Sequence, residues 1–364
     1  MTMRMSAAVS RGPNTPFTLE QVNIDDPRPD EILVRVAATG LCHTDLFTRA
    51  ATPAKSGPAI LGHEGAGVVV EVGREIEGVA PGDHVVLTYR HCARCDQCLR
   101  GNPAYCLRSY TLNRLGPRPD GTHVVTSDGA GVNTRFFGQS SFAEYAIAHA
   151  DNVVVVDRTL DLNVIAPLGC GFQTGAGAIL NVLRPESDSS VVVFGAGSVG
   201  FSAMLAAKSA GVQAIVAVDP NDTRRDLARS FGFEAVDSAA GNVVEQVRDV
   251  TGGGATHGLD TTGIPAVVLT ALSTLRARGD LVVLGLGDRE LTIDVQDLML
   301  SGKSIRGCIE GDSVAREFIP QLTDLYARGD FPVDRLTTEY PFSDLERAIA
   351  DQRAGSVVKP VLVW

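Results

Sequence analysis

The stretch SSVVVFGAGSVGFSAMLAAKSAG, residues 189–211, limits the possible folds of this chain more than any other part of the sequence. It includes Val191–Phe194, a continuous apolar run that is typical of a buried parallel strand. Three glycines follow at once in the spacing G-x-G-x-x-G: Gly195, Gly197 and Gly200. They open an alanine-rich segment that predicts a helix ending near Gly211. Glycines at this point let the backbone approach a pyrophosphate at the helix N-terminus.

A second apolar run, Ala214–Val218, ends in the acidic residue Asp219. Strand, glycine turn, helix, strand and acid in this order predict a doubly wound parallel sheet that binds a dinucleotide. A carboxylate at Asp219 would bind both ribose hydroxyls and repel a 2′-phosphate, which favours NAD over NADP. Arg224 and Arg225 follow closely. A neighbouring arginine can also accept NADP, and both arginines have the simpler interpretation of solvated helix residues.

The stretch HCARCDQCLRGNPAYC concentrates four of the seven cysteines in one loop: Cys92, Cys95, Cys98 and Cys106. Four thiolates at this spacing complete a tetrahedral Zn²⁺ shell, and the turn-forming residues between them cannot build a core of their own. Because the protein would fill all four positions, such a zinc is structural. The alternatives are a disulfide-stapled loop, a redox site and an iron–sulfur cluster, which four thiolates also suit.

Length and charge restrict the classes of protein that remain. A chain of 364 residues exceeds the usual domain size of roughly 100–200 residues, so we expect two domains. The formal net charge of −11 argues against a nucleic-acid partner. Polar residues and glycines interrupt the long uncharged stretches Leu162–Leu183 and Ser189–Ala207, so we expect no membrane span. The N-terminal sequence lacks the apolar core of a signal peptide, so we expect a cytoplasmic location, where thiols stay reduced.

Three further stretches carry residues suited to a second metal site. GLCHTDL contains Cys42, ILGHEGAGVV contains His63 and Glu64, and PLGCGFQTG contains Cys170. Singly, a cysteine is an ordinary core residue and a histidine beside glycine is an ordinary turn residue. Together with the four-cysteine loop, and in this order, these stretches resemble the zinc-containing medium-chain alcohol dehydrogenases. The resemblance runs nearly from end to end.

The resemblance implies a catalytic zinc held by Cys42, His63 and Cys170, with the fourth position open, and therefore two zinc ions per chain. Two thiolates and a neutral imidazole would cancel the charge of Zn²⁺ and leave a neutral site able to hold an alkoxide. Glu64 would tune the metal or ligate it transiently. Asp45 would accept the other ring N–H of His63, unless it is only a helix-cap or surface acid.

The same resemblance assigns roles to other residues near these motifs. Thr44 corresponds to the hydroxyl residue that takes the alcohol proton, although a threonine there could also cap a helix. His43 and Lys359 are expected to contact the cofactor pyrophosphate, and Arg224 is expected to contact the adenosine ribose. Many members end their proton relay in a histidine where this chain has Phe47. Because phenylalanine cannot accept a proton, we expect the proton to leave through water or another base.

The implied architecture has two domains. Residues 1–171 and 310–364 would form a strand-rich, GroES-like catalytic domain with both zinc sites. Residues 172–309 would form a Rossmann NAD-binding domain, a doubly wound α/β fold, with the active site in the cleft between the two. Members of this family are dimers or tetramers joined through the cofactor domain, so we expect a homo-oligomer.

The resemblance also places largely apolar residues at a substrate pocket. Phe136 and Phe137 would lie there, together with Thr88 at a position often held by a bulky aromatic, and with Leu286 and Ile309 as further wall. A wide aromatic-lined pocket suits a ring or a branched chain better than ethanol, although both phenylalanines could be ordinary core residues. The stretches GCGFQTGAGA, FFGQSSFAEY and CIEGDS further resemble the aryl-alcohol (benzyl-alcohol) dehydrogenase branch, and terpene-alcohol dehydrogenases are similar.

We therefore predict the reversible, NAD-dependent and zinc-dependent oxidation of a small primary aromatic or allylic alcohol to its aldehyde. The alternatives among enzymes are a geraniol-type dehydrogenase and a glutathione-dependent formaldehyde dehydrogenase, which needs a basic or polar pocket for the glutathione carboxylates. From a different class, the chain could be a nucleotide-binding regulator without catalysis. Such proteins usually lose a catalytic ligand, and the full ligand set also excludes the zinc-free quinone reductases.

Overall fold

The computed structural model describes residues 2–13 and 15–364. In this part of the chain the strands are β1 (Met3–Ser10), β2 (Thr18–Ile24), β3 (Glu31–Gly40), β4 (Ala59–Ile60), β5 (Gly65–Val72), β6 (His84–Leu87), β7 (Val125–Ser127), β8 (Ala130–Val132), β9 (Tyr145–His149), β10 (Val153–Val156), β11 (Ser190–Phe194), β12 (Ala214–Asp219), β13 (Glu234–Asp237), β14 (Ala255–Asp260), β15 (Leu275–Val283), β16 (Ser304–Gly307), β17 (Thr337–Pro341) and β18 (Lys359–Val363). The α-helices are α1 (His43–Ala51), α2 (Asp96–Leu99), α3 (Ser109–Asn113), α4 (Leu162–Ile165), α5 (Gly171–Gly177), α6 (Ser198–Ser209), α7 (Asp222–Ser230), α8 (Val243–Val250), α9 (Pro265–Thr274), α10 (Val295–Ser301), α11 (Ala315–Ala327) and α12 (Leu345–Ala354).

Residue contacts divide the chain into two compact units. The first unit comprises the chain up to Cys170 together with Val314–Thr323 and Thr337–Trp364. The second unit comprises Gly171–Ser313 and Asp324–Leu336. The domain bounds inferred from the sequence remain a prediction. They placed residues 324–336 in the first domain, whereas the contacts group these residues with the second unit.

The first unit is rich in antiparallel strands. One sheet has the strand order β4-β1-β2-β7-β8, and another has the order β10-β6-β5-β3-β18-β17, with β9 also paired to β3. The parallel pair β17–β18 joins the second sheet because β18 lies antiparallel to β3. Strand β3 lies in the middle of this sheet, and most of its residues are buried. It therefore shows little alternation between buried and exposed side chains. This unit carries the strand-rich, GroES-like part of the fold.

The second unit contains a six-stranded sheet with the order β13-β12-β11-β14-β15-β16, in which every neighbouring pair is parallel. Every residue of the predicted strand in β11 is buried, as a continuous apolar run requires. The chain order reverses between β11 and β14, which makes their carboxyl ends the switch point where such sheets bind ligands. The predicted fold class, a doubly wound parallel sheet with a strand-rich second part, is confirmed.

The glycine-rich turn after β11 shows why glycine is required at two of its positions. Gly195 has φ of +92°, a left-handed conformation that side chains with a Cβ rarely adopt. A Cβ on Gly200 would lie 2.0 Å from the carbonyl oxygen of Gly195, so the helix α6 can pack against the turn only without a side chain there.

Within residues 2–13 and 15–364, no helix has the length and apolar character needed to cross a membrane.

Candidate metal centres and cofactor site

Three distant parts of the first unit bring their side chains together at one buried point. Cys42 precedes α1, His63 lies between β4 and β5, and Cys170 ends a turn that directly precedes α5. Ligand atoms of these three residues and of Glu64 all lie within 4.8 Å of one another. The structure therefore brings together the residues that the resemblance implied for a catalytic metal, although the residues are far apart in the sequence.

The histidine of this cluster is oriented by a carboxylate. His63 is fully buried, and its Nδ1 lies 2.9 Å from Oδ1 of Asp45. Asp45 is itself fully buried and also accepts N–H bonds from Cys42 and Gly62. Because Nδ1 faces an acceptor, the proton belongs on Nδ1 and the lone pair on Nε2. Nε2 has no hydrogen-bond partner in the part of the chain that the structure describes, which is the arrangement of a histidine that ligates a metal.

The electrostatics of the cluster favour positive charge at this point. The pKa of Cys42 lies well below its usual value, chiefly because the Cys170 thiol donates to it and His63 lies nearby. Burial lowers the pKa of His63, but the negative charges of Asp45 and Cys42 raise it by more. Two thiol ligands and one imidazole are a donor set that Zn²⁺ favours, so these residues would hold zinc.

Glu64 and Lys359 form a buried ion pair beside this cluster. The Lys359 ammonium donates to both carboxylate oxygens of Glu64, at 3.0 and 2.8 Å, and to the carbonyl of Leu41 at 3.2 Å. Burial raises the pKa of Glu64, against the opposing charge of Lys359. A Cβ on Gly40 would lie 2.0 Å from the Glu64 carboxylate, so this position needs glycine.

The expected contact of Lys359 with the cofactor pyrophosphate remains a prediction. Lys359 is fully buried, and its ammonium has three oxygen partners within the chain. An unpaired ammonium at this depth would be costly, and the Glu64 carboxylate provides its counter-charge. The geometry therefore assigns Lys359 to the support of Glu64.

The first turn of α1 carries the other residues expected near the catalytic metal. Oγ1 of Thr44 lies 3.6 Å from the Cys42 sulfur, and this side chain is half-buried. His43 is exposed, and Phe47 is 54% exposed, so no histidine extends the helix face beyond Thr44. The hydroxyl of Thr44 is thus close to the metal cluster, as a proton-accepting role requires, whereas the cofactor contact of His43 remains a prediction.

Two aromatic rings contact the imidazole of His63. The ring of Phe137 stacks on it with centroids 4.6 Å apart, and the ring of Phe136 meets it edge-on at 5.3 Å. The two phenylalanines also contact each other at 5.0 Å. Both rings therefore lie beside the metal cluster. Phe136 is buried and Phe137 is half-buried, and their contact with a substrate remains a prediction.

The other predicted pocket residues, Thr88, Leu286 and Ile309, differ in their exposure and in the unit to which they belong. Thr88 is only 1% exposed, and its hydroxyl donates to the carbonyl of Gly169 at 2.7 Å, so it supports the backbone beside Cys170 and offers almost no surface to a ligand. Its expected place in the pocket remains a prediction. Leu286 and Ile309 belong to the second unit and are 62% and 50% exposed, and their pocket role remains a prediction.

The four-cysteine loop forms a second cluster in the first unit, and its ligand sulfurs all lie within 4.8 Å of one another. None of the four is in a disulfide. The Cys95 sulfur lies 3.4 Å from that of Cys98 and 3.9 Å from that of Cys106. Backbone N–H groups of Cys98 and Leu107 lower the pKa of Cys95 to about 6, which favours the thiolate that a metal needs. This geometry fits the predicted structural zinc.

In the second unit, the residues predicted to hold a dinucleotide surround the glycine turn. The Asp219 carboxylate accepts N–H bonds from Ala196 and Asn221, each at 2.8 Å. The Arg224 guanidinium donates to the carbonyl of Ala196 at 2.9 Å, so it lies against the same turn. Arg225 instead donates to the Asp219 carbonyl and pairs with carboxylates on its own side of the sheet. Asp219 and Arg224 thus flank the turn, as a ribose contact would require.

A cavity of about 410 Å³ lies near the carboxyl ends of these strands. Its lining includes Phe194 at the end of β11, Asn242 and Val243 at the start of α8, and Val267 of α9. The lining combines apolar residues with a few polar ones, as ligand pockets commonly do.

Comparisons with known proteins agree with this geometry. A family model described as "Alcohol dehydrogenase GroES-like domain" matches residues 28–158, and one described as "Zinc-binding dehydrogenase" matches residues 198–328. A geraniol dehydrogenase of Castellaniella defragrans is 41% identical over 98% of this chain and 97% of its own length. A probable S-(hydroxymethyl)glutathione dehydrogenase of Schizosaccharomyces pombe is 33% identical over 99% of this chain and 97% of its own. The crystal structure of a benzyl alcohol dehydrogenase from Acinetobacter calcoaceticus is 40% identical, with a TM-score of 0.95 and coverage of 99% of both chains.

Proposed function

Since the chain belongs to the zinc-dependent medium-chain alcohol dehydrogenases, we propose that it oxidises a primary aromatic or allylic alcohol to the aldehyde, reversibly and with NAD as hydride acceptor. The observation that carries the substrate class is the pair of rings, Phe136 and Phe137, packed on the imidazole of His63. Flat unsaturated groups pack well against aromatic rings. An alcohol bound beside this histidine would therefore gain more from an sp² carbon skeleton than from a short alkyl chain.

The roles of individual residues follow from their contacts. Cys42, His63 and Cys170 would hold the catalytic zinc, and Asp45 keeps the His63 lone pair on Nε2. When bound, zinc supplies Lewis-acid chemistry that acidifies an alcohol, and the nicotinamide accepts the hydride. The hydroxyl of Thr44 takes the alcohol proton in this proposal. Because the chain has Phe47 in place of a relay histidine, the proton then passes to water or to another base.

We choose NAD over NADP on the surroundings of Asp219. Its carboxylate lies at the glycine turn, where it would bind the ribose hydroxyls and repel a 2′-phosphate. The two arginines that follow are both engaged: Arg224 donates to the Ala196 carbonyl, and Arg225 pairs with Asp222 and Asp237. The charge of Arg225 is therefore balanced by carboxylates, whereas Arg224 lies against the glycine turn, where we expect it to contact the ribose.

The names of the relatives support the same class of substrate, a primary alcohol on an unsaturated carbon. Geraniol and benzyl alcohol, the substrates in the names of two similar proteins, both carry the hydroxymethyl group on an unsaturated carbon. The S-(hydroxymethyl)glutathione dehydrogenases are also relatives, at lower identity. Their substrate carries carboxylates that need cationic partners, whereas the side chains stacked on His63 are aromatic. The glutathione-dependent activity is therefore the second candidate.

The deciding experiment is a steady-state comparison of benzyl alcohol, geraniol, ethanol and S-(hydroxymethyl)glutathione with NAD, on protein assayed for zinc. We expect kcat/KM for benzyl alcohol or geraniol to exceed that for ethanol, and NADP to be a poor acceptor. A preference for ethanol would contradict the role of the rings, and a preference for S-(hydroxymethyl)glutathione would establish the second candidate.

We also infer that the enzyme is a homo-oligomer built on the second unit. Strand β16 ends the six-stranded sheet and leaves one edge without a neighbouring strand among the described residues. The adjacent α10 exposes Val295, Met299 and Leu300 by 68%, 69% and 80%. Open edges and exposed apolar side chains are the features of an interface between copies, and a two-fold pair would extend the sheet.

The thiol ligands favour a reducing compartment, which supports a cytoplasmic location.

A further inference from the structure

Gln139 connects the metal cluster to the aromatic pair. Its side chain is 2% exposed and makes three hydrogen bonds to the backbone of other segments. The amide nitrogen donates to the carbonyl of His63 at 3.0 Å and to that of Thr88 at 3.3 Å, and the amide oxygen accepts the N–H of Gly65 at 3.0 Å. One amide thus holds the backbone on both sides of Glu64 and ties it to the end of β6.

The neighbouring glycine makes this approach possible. A Cβ on Gly65 would lie 3.0 Å from the amide oxygen of Gln139 and 2.7 Å from the Cβ of Ser141. A side chain at this position would therefore push the amide away from the backbone that it holds. The close contact indicates that the His63–Gly65 backbone and Gln139 fit each other as one packed unit.

Gln139 also belongs to a segment whose backbone must be held in place. Arg135, Phe137 and Ser140 have φ of +68°, +51° and +54°, although none of them is glycine. The left-handed conformation is strained for residues that carry a Cβ, so the surrounding structure must fix them. The Ser140 hydroxyl fixes part of the segment, because it accepts the N–H of Phe136 at 3.0 Å and donates to the carbonyl of Ile60 at 2.7 Å.

We propose that Gln139 is a positioning residue that locks the metal-ligating histidine and the aromatic pair into one rigid unit. The proposal rests on the proposed function, in which His63 ligates zinc and the rings of Phe136 and Phe137 contact the substrate. Gln139 fixes the backbone from which the His63 side chain extends, whereas Asp45 fixes the imidazole itself. Loss of the Gln139 amide would therefore affect both metal retention and substrate choice.

The chemistry of the amide is specific to this task. The site needs one acceptor for the Gly65 N–H and one donor group for two carbonyls, and a glutamine amide provides both. Gln139→Met keeps the length and volume but removes all three bonds, which leaves buried backbone groups without partners. Gln139→Glu keeps the acceptor and loses the amide donors. We therefore expect the effect of Gln139→Glu to lie between those of wild type and Gln139→Met.

Zinc retention provides the first test, with the four-cysteine loop as an internal reference. Each variant is exposed to a graded zinc chelator, and alkylation followed by peptide mapping identifies which cysteines become free. In Gln139→Met we expect Cys42 and Cys170 to be released at about 10–100-fold lower chelator concentration than in wild type, the usual cost of losing a residue that orients a metal ligand. Release of Cys92, Cys95, Cys98 and Cys106 should not change. Identical release profiles for wild type and Gln139→Met would overturn the proposal.

Ser140→Ala is the matched control, because it loosens the same segment without touching His63 or Gly65. We expect this variant to retain zinc as wild type does, but to lose part of its preference for benzyl alcohol over ethanol. Gln139→Met should lose both. If the two variants show the same melting temperature and the same zinc retention, Gln139 is only a structural residue and the proposal fails.

The zinc measurement also separates this proposal from the proposed function. If wild type turns out not to prefer aromatic or allylic alcohols, the assignment of the substrate is wrong. The order in which thiols are released would still show whether Gln139 supports the His63 ligand. Conversely, an aromatic preference in wild type together with unchanged zinc release in Gln139→Met would contradict only the role of Gln139.

Discussion

The two cysteine-containing clusters of the first unit are built in opposite ways. The four-cysteine loop takes all its ligands from residues 92–106, and three of its four cysteines remain partly exposed. The other cluster, for which we propose a catalytic role, takes Cys42, His63 and Cys170 from three separate parts of the chain, and His63 is fully buried with Asp45 behind it. In the loop, a metal would supply the cohesion that a core otherwise supplies. In the cluster of Cys42, His63 and Cys170, the surrounding core positions the ligands.

The comparison predicts that removing a ligand has different consequences in the two clusters. Cys42→Ser should leave one zinc per chain and lower kcat/KM by about 100–10,000-fold, since metal catalysis contributes several kcal/mol to the stabilisation of the transition state. The melting temperature should change little, because the surrounding core remains packed. Metal analysis, steady-state kinetics and calorimetry test this directly. A variant that keeps most of its activity would show that zinc in this cluster is not catalytic.

The reciprocal change should affect stability first. In Cys106→Ser the loop loses a metal ligand and the cohesion that the metal provides, so we expect the melting temperature to fall by about 10 °C. The freshly prepared variant should keep kcat within a few-fold of wild type at low temperature. Calorimetry beside an immediate assay measures both quantities. If activity is lost while the melting temperature is unchanged, the distinction between the two clusters is wrong.

We expect a smaller effect on zinc binding when the Asp45 carboxylate, which contacts Nδ1 of His63, is replaced by an amide. Asp45→Asn preserves the size of the side chain but removes the charge that fixes the proton on Nδ1. We expect zinc affinity at this cluster, and kcat/KM with it, to fall by about 10–100-fold. Equilibrium metal titration is the measurement, and the zinc of the four-cysteine loop serves as the reference. Unchanged affinity would mean that the fold alone orients the imidazole.

The smallest effect concerns the reactivity of the loop thiols after zinc removal. Backbone N–H groups lower the pKa of Cys95 to about 6. The pKa of Cys98 is raised to about 12, and burial is the main cause. Because only the thiolate reacts, alkylation of Cys95 should be half-maximal near pH 6 and should decline below it, while Cys98 reacts last. Mass spectrometry of protein alkylated across a pH series gives the order. Equal rates for both thiols would show that the stripped loop no longer keeps this geometry.

The sequence allowed much of this architecture to be predicted, and the reasons differ between regions. The Cys92–Cys106 spacing is local, so it predicted a metal-binding loop without any tertiary information. The glycine turn between β11 and α6 is equally local, and its prediction holds. The catalytic cluster was found only through the resemblance, because nothing in the sequence around Cys42 or Cys170 shows that they meet. The family, the fold class and the cofactors, zinc and a nicotinamide dinucleotide, are confirmed.

Long-range contacts account for what the sequence did not reveal. The ion pair of Lys359 with Glu64 depends on the pairing of β18 with β3, which no local pattern in the sequence indicates. The bond from the Thr88 hydroxyl to the carbonyl of Gly169, in the turn before Cys170, likewise joins two segments that are far apart in the sequence. Gln139 gave no signal, because a glutamine in a polar segment is unremarkable until its amide is seen on the His63 backbone.

The most direct test of the central claim is a crystal structure with anomalous scattering measured at the zinc edge. We predict two zinc peaks in each chain. One should be bound by the sulfurs of Cys42 and Cys170 and by Nε2 of His63, and the other by the four sulfurs of the loop. A single peak in the loop, with Nε2 of His63 contacting no metal, would contradict the catalytic cluster and the activity that we derive from it.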